Sequence, residues 1–402
     1  MHLEAAETVA SARTAVVPNR QVYTAMLIGI AMMTAILWMP SMLGAIAMAY
    51  ALDARPVSHL AFGELLGFLM GTLFTHSGTV AAVRKWVFAG CLLIVAANGW
   101  MALHTTVAPA VIARLLAGLG AGFGFGYGLK VCATSAHPTR NFGLFTGAMS
   151  LMMIIGFQSV AKLLEAGAIP AHDAVDLSRS AVKSLAGIYI AAAVGAAILN
   201  AVNRPPSAGP ESAAGGHERS LPSPLVLVGL VSIALAFVGQ GGIWAFLQIL
   251  GVSHGFSIAN VANGMSAFAV AGIGGSLTAA ATPHRWPRWL VTGIALPLLW
   301  CGLYFLYAPS SIAWYVAGCA IGGFYWNYTL PLILGLLARI DRTGQGAVLG
   351  GTMSSAGSAL GPLIAGLLIH GTNYRPVGVL AGALCLVSLA CVALMERYAP
   401  SH

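Results

Sequence analysis

The feature that most constrains this chain is a series of long apolar runs that charged residues rarely interrupt. Of its 402 residues, 58% are hydrophobic and 7% are charged, and the mean hydropathy is +0.84. No soluble domain of this size has such a composition. A bilayer core of about 30 Å needs roughly 20 apolar residues at about 1.5 Å each. The sequence therefore predicts an all-α integral membrane protein.

The apolar runs number twelve, and the segments between them are mostly short. We place the predicted spans at 22–51, 57–75, 86–103, 107–130, 142–166, 184–202, 224–250, 256–281, 288–307, 311–338, 345–370 and 376–395. The first run is too long for a signal-peptide core and has no small-residue cleavage site after it. We therefore expect residues 1–21 and 396–402 to be cytoplasmic tails.

The positive charges predict which way the spans run. Lysine and arginine are retained on the cytoplasmic side of short loops. With the N-terminus inside, thirteen of the nineteen lysines and arginines fall on the inner side, four fall outside and two lie within spans. Both termini are thus predicted to be cytoplasmic. The net charge of +8 reflects this topology, and nucleic acid is not an expected partner.

An internal repeat divides the chain into two halves. Moving residues 139–167 onto 343–371, an offset of 204, aligns eight identical residues. The same offset carries the first span onto the seventh and the second onto the eighth. We therefore predict two parallel six-helix halves, 22–202 and 224–395, joined by a polar cytoplasmic linker at 203–223 that is rich in Pro, Gly and Ser.

This plan resembles that of the major facilitator superfamily of transporters. The resemblance is carried by an arginine followed by a glycine-rich helix in the fourth span, and by motifs in spans seven, ten and eleven. These are "RLLAGLGAG" (114–122), "GQGGIWAFLQILG" (239–251), "YWNYTLPLILGLLARIDRTGQG" (325–346) and "GSALGPLIAG" (357–366). They resemble a bacterial branch whose substrates are mostly unassigned. The resemblance implies the twelve-helix facilitator fold, transport, and a bacterial inner membrane.

One loop departs from that resemblance. The superfamily pattern G-x-x-x-D-R-x-G falls on Gly71 and Gly78, but Thr75 and His76 occupy the acid and arginine positions. In the family the acidic loop helps to latch the two halves together at the cytoplasmic side. That latch is therefore in doubt for this chain.

Glycine occupies every second position in the run "LAGLGAGFGFGYGLK" (116–130). A dinucleotide-binding loop needs an odd offset between glycines, which this run lacks. An unpaired strand is also excluded inside a spanning segment. On a helix the glycines form two bare stripes on nearly opposite sides, which allow close packing of two neighbours. The stripes are Gly118, Gly122 and Gly126, and Gly120, Gly124 and Gly128.

Three polar residues at membrane depth are functional candidates, because burying them is costly. Glu64 is the one carboxylate inside a predicted span. It lies at the same predicted depth as Arg114, and Asn98 comes close to that level. Two alternatives stay open from the residues: a permanent structural ion pair, or a proton carrier whose partner comes and goes. Direct contact of Glu64 or Arg114 with cargo is a third.

In the second half, amide and aromatic side chains cluster near mid-membrane. Gln240, Trp244 and Gln248 form one helical stripe, and the adjacent glycines suggest a helix loosened there to expose carbonyl groups. Such groups suit a flat apolar solute with a few hydrogen-bonding groups, and packing between helices is the alternative. The remaining candidates for the substrate cavity are Trp326, Asn327, Tyr328, Gln158, Asn263 and Trp38.

We therefore predict a secondary transporter of a small organic solute, active as a monomer in the bilayer and coupled to the proton gradient. Efflux of amphipathic compounds is the alternative, and a binding or sensing protein that does not transport is a further class. No cofactor or metal is expected, because the cysteines and histidines are not clustered at ligand spacing. No catalytic constellation occurs at membrane depth, so an enzyme is not expected.

Overall fold

The computed structural model describes residues 19–77, 80–104, 106–133, 135, 137–165, 174–203, 223–282, 286–341 and 345–399. The described residues form fourteen helices. These are α1 (Asn19–Met32), α2 (Thr34–Leu37), α3 (Met39–Tyr50), α4 (Ala54–Ser77), α5 (Val80–Leu103), α6 (Val107–Ala133), α7 (Pro138–Glu165), α8 (Ala174–Val202), α9 (Pro224–Ser253), α10 (Ile258–Ala281), α11 (Arg288–Tyr307), α12 (Ile312–Ile340), α13 (Gln345–Leu368) and α14 (Arg375–Tyr398).

Ten of the described helices are long and apolar enough to cross a bilayer: α4 to α12 and α14. The α13 helix, at the eleventh predicted span, has 24 residues, and its many glycine, serine and threonine residues make it less apolar. Most of the predicted tails and of the predicted linker lie outside the described residues. The multi-pass helical architecture is thus confirmed.

The first predicted span is an interrupted helix rather than a continuous one. It is divided into α1, α2 and α3 at Met33 and Trp38. Hydrogen bonds from Met33 N–H to the Gly29 carbonyl and from Met42 N–H to the Trp38 carbonyl continue across both joints, at 3.0 Å each. Pro40 has no N–H to donate and sits in the first turn of α3, which accounts for the second interruption.

The internal repeat of the sequence is also present in the arrangement of the helices. Adding 204 to the bounds of α4, 54–77, gives 258–281, the bounds of α10. The same shift moves α6 to within three residues of the bounds of α12. The two sets of helices also contact each other in corresponding pairs, α4 with α6 and α10 with α12.

Among the described residues, the two halves contact each other most extensively through three pairs of helices: α4 with α13, α7 with α10, and α3 with α9. We call the end of the bundle where α1 begins and α14 ends the terminal end, and the opposite end the distal end. All three contacts lie toward the distal end. There the Glu165 Oε1 atom accepts a hydrogen bond from Ala259 N–H at 2.7 Å, and Gly366 lies against the Ser58 side chain.

The first glycine stripe of α6 lies directly on the main chain of α4. A Cβ atom at Gly118 would meet the Glu64 carbonyl, and one at Gly122 would meet the Phe68 carbonyl. A Cβ atom at Gly126 would meet the Thr75 side chain. The two parallel helices therefore approach closely because α6 has no side chains on this face.

The second glycine stripe faces other helices. A Cβ atom at Gly120 would meet the Gly90 carbonyl of α5. At Gly124 it would lie 2.6 Å from the Met32 side chain of α1, and at Gly128 it would lie 2.9 Å from the Phe145 ring of α7. The two stripes of α6 thus pack on different neighbours.

We expect Gly122→Ala to destabilise the protein by about 1–3 kcal/mol, because the added methyl group would meet the main chain of α4, which cannot rotate away. The measurement is the thermal unfolding midpoint in detergent. Gly99→Ala on α5 is the matched control, because a Cβ atom there meets nothing within 4 Å. Equal midpoints for the two variants would contradict close packing of α4 on α6.

Candidate functional site

The polar candidates of the first half meet in one buried cluster. The Arg114 Nη1 atom of α6 lies 3.5 Å from Glu64 Oε1 of α4, and Arg114 Nη2 donates a hydrogen bond to Asn98 Oδ1 of α5 at 2.7 Å. Arg114 Nη1 also contacts the Met42 sulfur at 3.2 Å. Glu64, Asn98 and Arg114 are all at most 1% exposed. The structure thus brings together the three residues that the sequence places at one depth.

Two polar atoms of this cluster lack a hydrogen-bond partner. Glu64 Oε2 and Arg114 Nε are buried without a hydrogen-bond partner. The distance of 3.5 Å between Arg114 and Glu64 is long for a charge-assisted hydrogen bond, which is usually about 2.7–2.9 Å. Asn98 therefore makes the shorter hydrogen bond to the guanidinium, and Glu64 keeps one oxygen atom able to accept a proton or a hydrogen bond.

Sequence reasoning missed Tyr189 of α8, which belongs to the same region. Its hydroxyl group is buried without a partner, and it interacts electrostatically with both Glu64 and Arg114. Its ring lies 6.0 Å from the Trp38 ring. A lone tyrosine in an alanine-rich span gives little signal in the sequence, because tyrosine is also common as a packing residue.

In the second half, a cavity of about 20 Å³ lies among α9, α10, α11 and α12. This volume holds about one water molecule. The predicted candidates Gln240, Trp244 and Trp326 line it, together with Phe268. Sequence reasoning did not select Phe268, because nothing distinguishes it from the other phenylalanines of the apolar spans.

The cavity is bordered by a cluster of aromatic rings. The Trp244 ring centroid lies 5.0 Å from Phe268 and 6.4 Å from Trp326, and Phe237 lies 5.1 Å from Trp326. Phe157 of α7 reaches across from the first half and lies 6.0 Å from Trp244. The ring cluster therefore joins the cavity to the interface between the halves.

Gln240 is a polar side chain of this cavity whose hydrogen-bonding groups lack partners. It is 5% exposed, and neither its Oε1 nor its Nε2 atom has a hydrogen-bond partner. An unpaired buried amide group costs about 1–3 kcal/mol. A ligand that presents a donor beside an acceptor would remove that cost.

The helix around Gln240 is intact, so the expectation of a loosened segment is wrong. The α9 helix is continuous from Pro224 to Ser253. Its glycines are packing sites instead: Gly239 lies against Ala381 of α14, and Gly241 lies against Ser358 of α13. Close approach of α13 and α14, rather than exposed carbonyl groups, explains these glycines.

Three other candidates lie where the halves meet. Gln158 Nε2 of α7 donates hydrogen bonds to Asn263 Oδ1 and to Ser266 Oγ of α10, both at 3.0 Å. Gln248 is 1% exposed, and its side chain fills the space left by Gly44 at the crossing of α3 and α9. Gln158, Asn263 and Gln248 therefore bridge the two halves.

The remaining candidates pack elsewhere. Trp38 donates its indole N–H to the Met152 carbonyl at 2.8 Å. Asn327 donates to the Gly323 carbonyl of its own helix at 3.0 Å and lies against Gly272 of α10. Tyr328 stacks on Phe324. These three side chains do not line the cavity, and Trp38 adjoins the region of the ion cluster through its ring contact with Tyr189.

The repeat relates the ion cluster to the cavity. Residues 64, 98 and 114, moved by 204, correspond to Phe268, Gly302 and Gly318, and all three line the cavity. At equivalent places, one half therefore holds an ion pair and the other holds a small aromatic cavity.

Comparisons with known proteins were made by sequence and by structure. No family profile and no curated protein sequence matches the chain. Among solved structures, the nucleoside transporter NupG aligns with a TM-score of 0.71 at 13% identity, over 95% of this chain and 100% of that one. A bacterial homologue of the human lysosomal transporter Spinster aligns with a TM-score of 0.65 at 12% identity, over 94% and 98% of the two chains.

The chain has the major facilitator fold. The predicted resemblance is thus confirmed at the level of the fold. The long apolar helices of the described residues, together with this fold, support an integral multi-pass membrane protein. Within the described part of this facilitator-fold chain, no three His, Cys, Asp or Glu side chains are placed to hold a metal ion.

We expect Arg114→Met to lower the free energy of unfolding by about 3–5 kcal/mol, because Glu64 would be left buried without its positive partner. Adding Glu64→Leu should recover part of the loss, since the double variant has no unpaired charge. Thermal unfolding of the two variants in detergent measures both effects. A double variant that is less stable than Arg114→Met alone would contradict this ion pairing.

Proposed function

We propose that this protein is a secondary transporter of a small organic solute, which moves the solute by alternating access and is coupled to protons. The observation that carries the proposal is the Gln240 amide group, which is buried without partners beside Trp244, Trp326 and Phe268. A binding site of this chemistry near the middle of a facilitator fold suits a solute that must be reached from each end of the bundle in turn, as alternating access requires.

The chemistry of the cavity favours one class of solute. The Gln240 amide offers one acceptor and two donors, and the neighbouring indole and phenyl rings offer flat apolar faces. The best match is a flat heteroaromatic compound whose edge carries a donor beside an acceptor. Nucleobases have edges of this kind. Because the structural neighbour NupG is a nucleoside transporter, nucleosides are the first solutes to test.

The site must open to admit such a solute, because the cavity of about 20 Å³ holds about one water molecule. Two of its helices contain an internal proline, Pro297 in α11 and Pro331 in α12. Proline leaves a carbonyl of the preceding turn without its hydrogen bond, and helices bend most readily at such places. We infer that α11 and α12 bend to enlarge the cavity.

Alternation also requires the contacts at the distal end to break. Those described between side chains are neutral hydrogen bonds from Gln158 to Asn263 and Ser266. A typical hydrogen bond of this kind contributes about 0.5–1.5 kcal/mol net. Contacts of this size are compatible with an interface between the halves that opens and closes repeatedly.

Proton coupling is assigned to Glu64. Its Oε2 atom is unpartnered, and its ion pair with Arg114 is long at 3.5 Å. Protonation would cancel the attraction to Arg114 and leave the guanidinium held by Asn98. A proton on Glu64 therefore changes the charge balance where α4, α5 and α6 meet.

The Gln240 assignment is tested by binding. We expect Gln240→Leu to weaken binding of the transported solute about tenfold, because leaving a buried polar group of the solute without its partner costs about 1–3 kcal/mol. Purified protein is first screened by thermal shift with nucleosides and other heteroaromatic compounds. Asn327→Ala is the control, since Asn327 bonds only within its own helix. Unchanged affinity in Gln240→Leu would refute the assignment.

Coupling is tested by flux into proteoliposomes. We expect Glu64→Gln to abolish accumulation driven by a pH gradient while leaving exchange of solute across the membrane intact, because the amide cannot carry the proton. Asp53→Asn is the control: Asp53 is exposed and lies outside the ion cluster. Full proton-driven accumulation by Glu64→Gln would remove Glu64 from this role, and binding without any flux in the unmodified protein would favour a sensor.

A further inference from the structure

A second concave site lies far from the central cavity, at the terminal end of the bundle. It is a groove of about 970 Å³ between the beginning of α11, the end of α12 and the end of α14. We call it the interfacial groove. Its lining includes two tryptophans, two arginines and one carboxylate: Trp286, Trp289, Arg339, Arg397 and Glu396.

The lining residues all lie at the ends of helices. Arg339 is in the last turn of α12, Arg397 is in the last turn of α14, and Trp289 is the second residue of α11. The ends of spanning helices lie at the boundary between hydrocarbon and water. Tryptophan and arginine side chains at that level sit among lipid headgroups. In the predicted orientation this boundary belongs to the cytoplasmic leaflet.

The groove has an excess of positive charge. The Glu396 Oε2 atom accepts a hydrogen bond from Trp289 N–H at 3.0 Å, so this carboxylate is engaged at the positive end of α11. Arg339 and Arg397 are exposed, and neither has a hydrogen bond or an ion pair to another described residue. The Arg397 guanidinium lies 5.8 Å from the Tyr398 ring, which leaves its N–H groups available.

The aromatic residues make the groove amphipathic. Trp286 is 50% exposed and Trp289 is 46% exposed, and both border the arginines. Guanidinium groups bind phosphate with paired hydrogen bonds, and indole rings favour the glycerol and upper acyl region of a lipid. A soluble anion would use the arginines but not the indoles.

We propose that the interfacial groove binds the headgroup of an anionic phospholipid. Arg339 and Arg397 contact the lipid phosphate, and Trp286 and Trp289 pack against its glycerol and upper acyl carbons. The lipid thereby ties the end of α14 to the ends of α11 and α12. This inference is independent of the solute that the central cavity takes.

The test is lipid binding by the full chain, measured by native mass spectrometry in detergent with phosphatidylglycerol or phosphatidylcholine. The unmodified protein is expected to bind phosphatidylglycerol more tightly. Arg339→Gln/Arg397→Gln should weaken that binding by about 25-fold, at about fivefold for each arginine near an anionic headgroup. Arg55→Gln/Arg375→Gln is the matched control, because it removes two exposed arginines at the distal end and should leave binding unchanged.

Two further measurements distinguish a lipid-binding site from a general anion-binding site. Trp289→Ala should weaken phosphatidylglycerol binding while the arginines remain, and glycerol phosphate at millimolar concentration should not displace the lipid. The inference is overturned if the unmodified protein binds both lipids equally, or if both double variants lose equal affinity. It is also overturned if glycerol phosphate competes fully, which would indicate a soluble anion.

Discussion

The close approach of the α4 and α6 main chains is the contact on which the candidate site depends. Gly63 and Gly67 of α4 lie against the main chain at Val111 and Leu115, while Gly118 lies against the Glu64 carbonyl. Two helices with side chains at these positions would be held farther apart. The glycines therefore set both the spacing and the register that place Glu64 within 3.5 Å of Arg114.

The two halves use one architecture for different chemistry. Where the first half holds Glu64, Asn98 and Arg114, the second half has Phe268, Gly302 and Gly318 around a cavity. An apolar solute binds poorly beside the buried charges of the first half, and an aromatic cavity does not stabilise a bound proton. Under the proposed function, the repeated halves divide these two tasks and each site keeps its own polarity. The ring contact from Phe157 to Trp244 links the halves.

Much of this arrangement is readable from the sequence. The fourth span, predicted at 107–130, is α6 at Val107–Ala133, and matched depth was enough to propose the pairing of Glu64 with Arg114. Only some of the residues that line the cavity could be predicted from the sequence. Gln240 and Trp326 carry a polar or amphipathic signal, whereas Phe268 looks like any buried phenylalanine. Asn327 adjoins Trp326 in sequence, but which of them faces the cavity depends on the neighbouring helices, and a single helix does not specify its neighbours.

Alternating access requires the halves to separate at the distal end during each cycle, and a reversible cross-link between them tests this requirement. Gln158→Cys/Asn263→Cys, in a background with the six native cysteines replaced, joins α7 to α10 through a short reducible thiol reagent. Flux into proteoliposomes is measured before cross-linking, after it and after reduction. The account predicts that cross-linking stops transport and that reduction restores it, with single-cysteine variants unaffected. Full transport by the cross-linked protein would contradict the account.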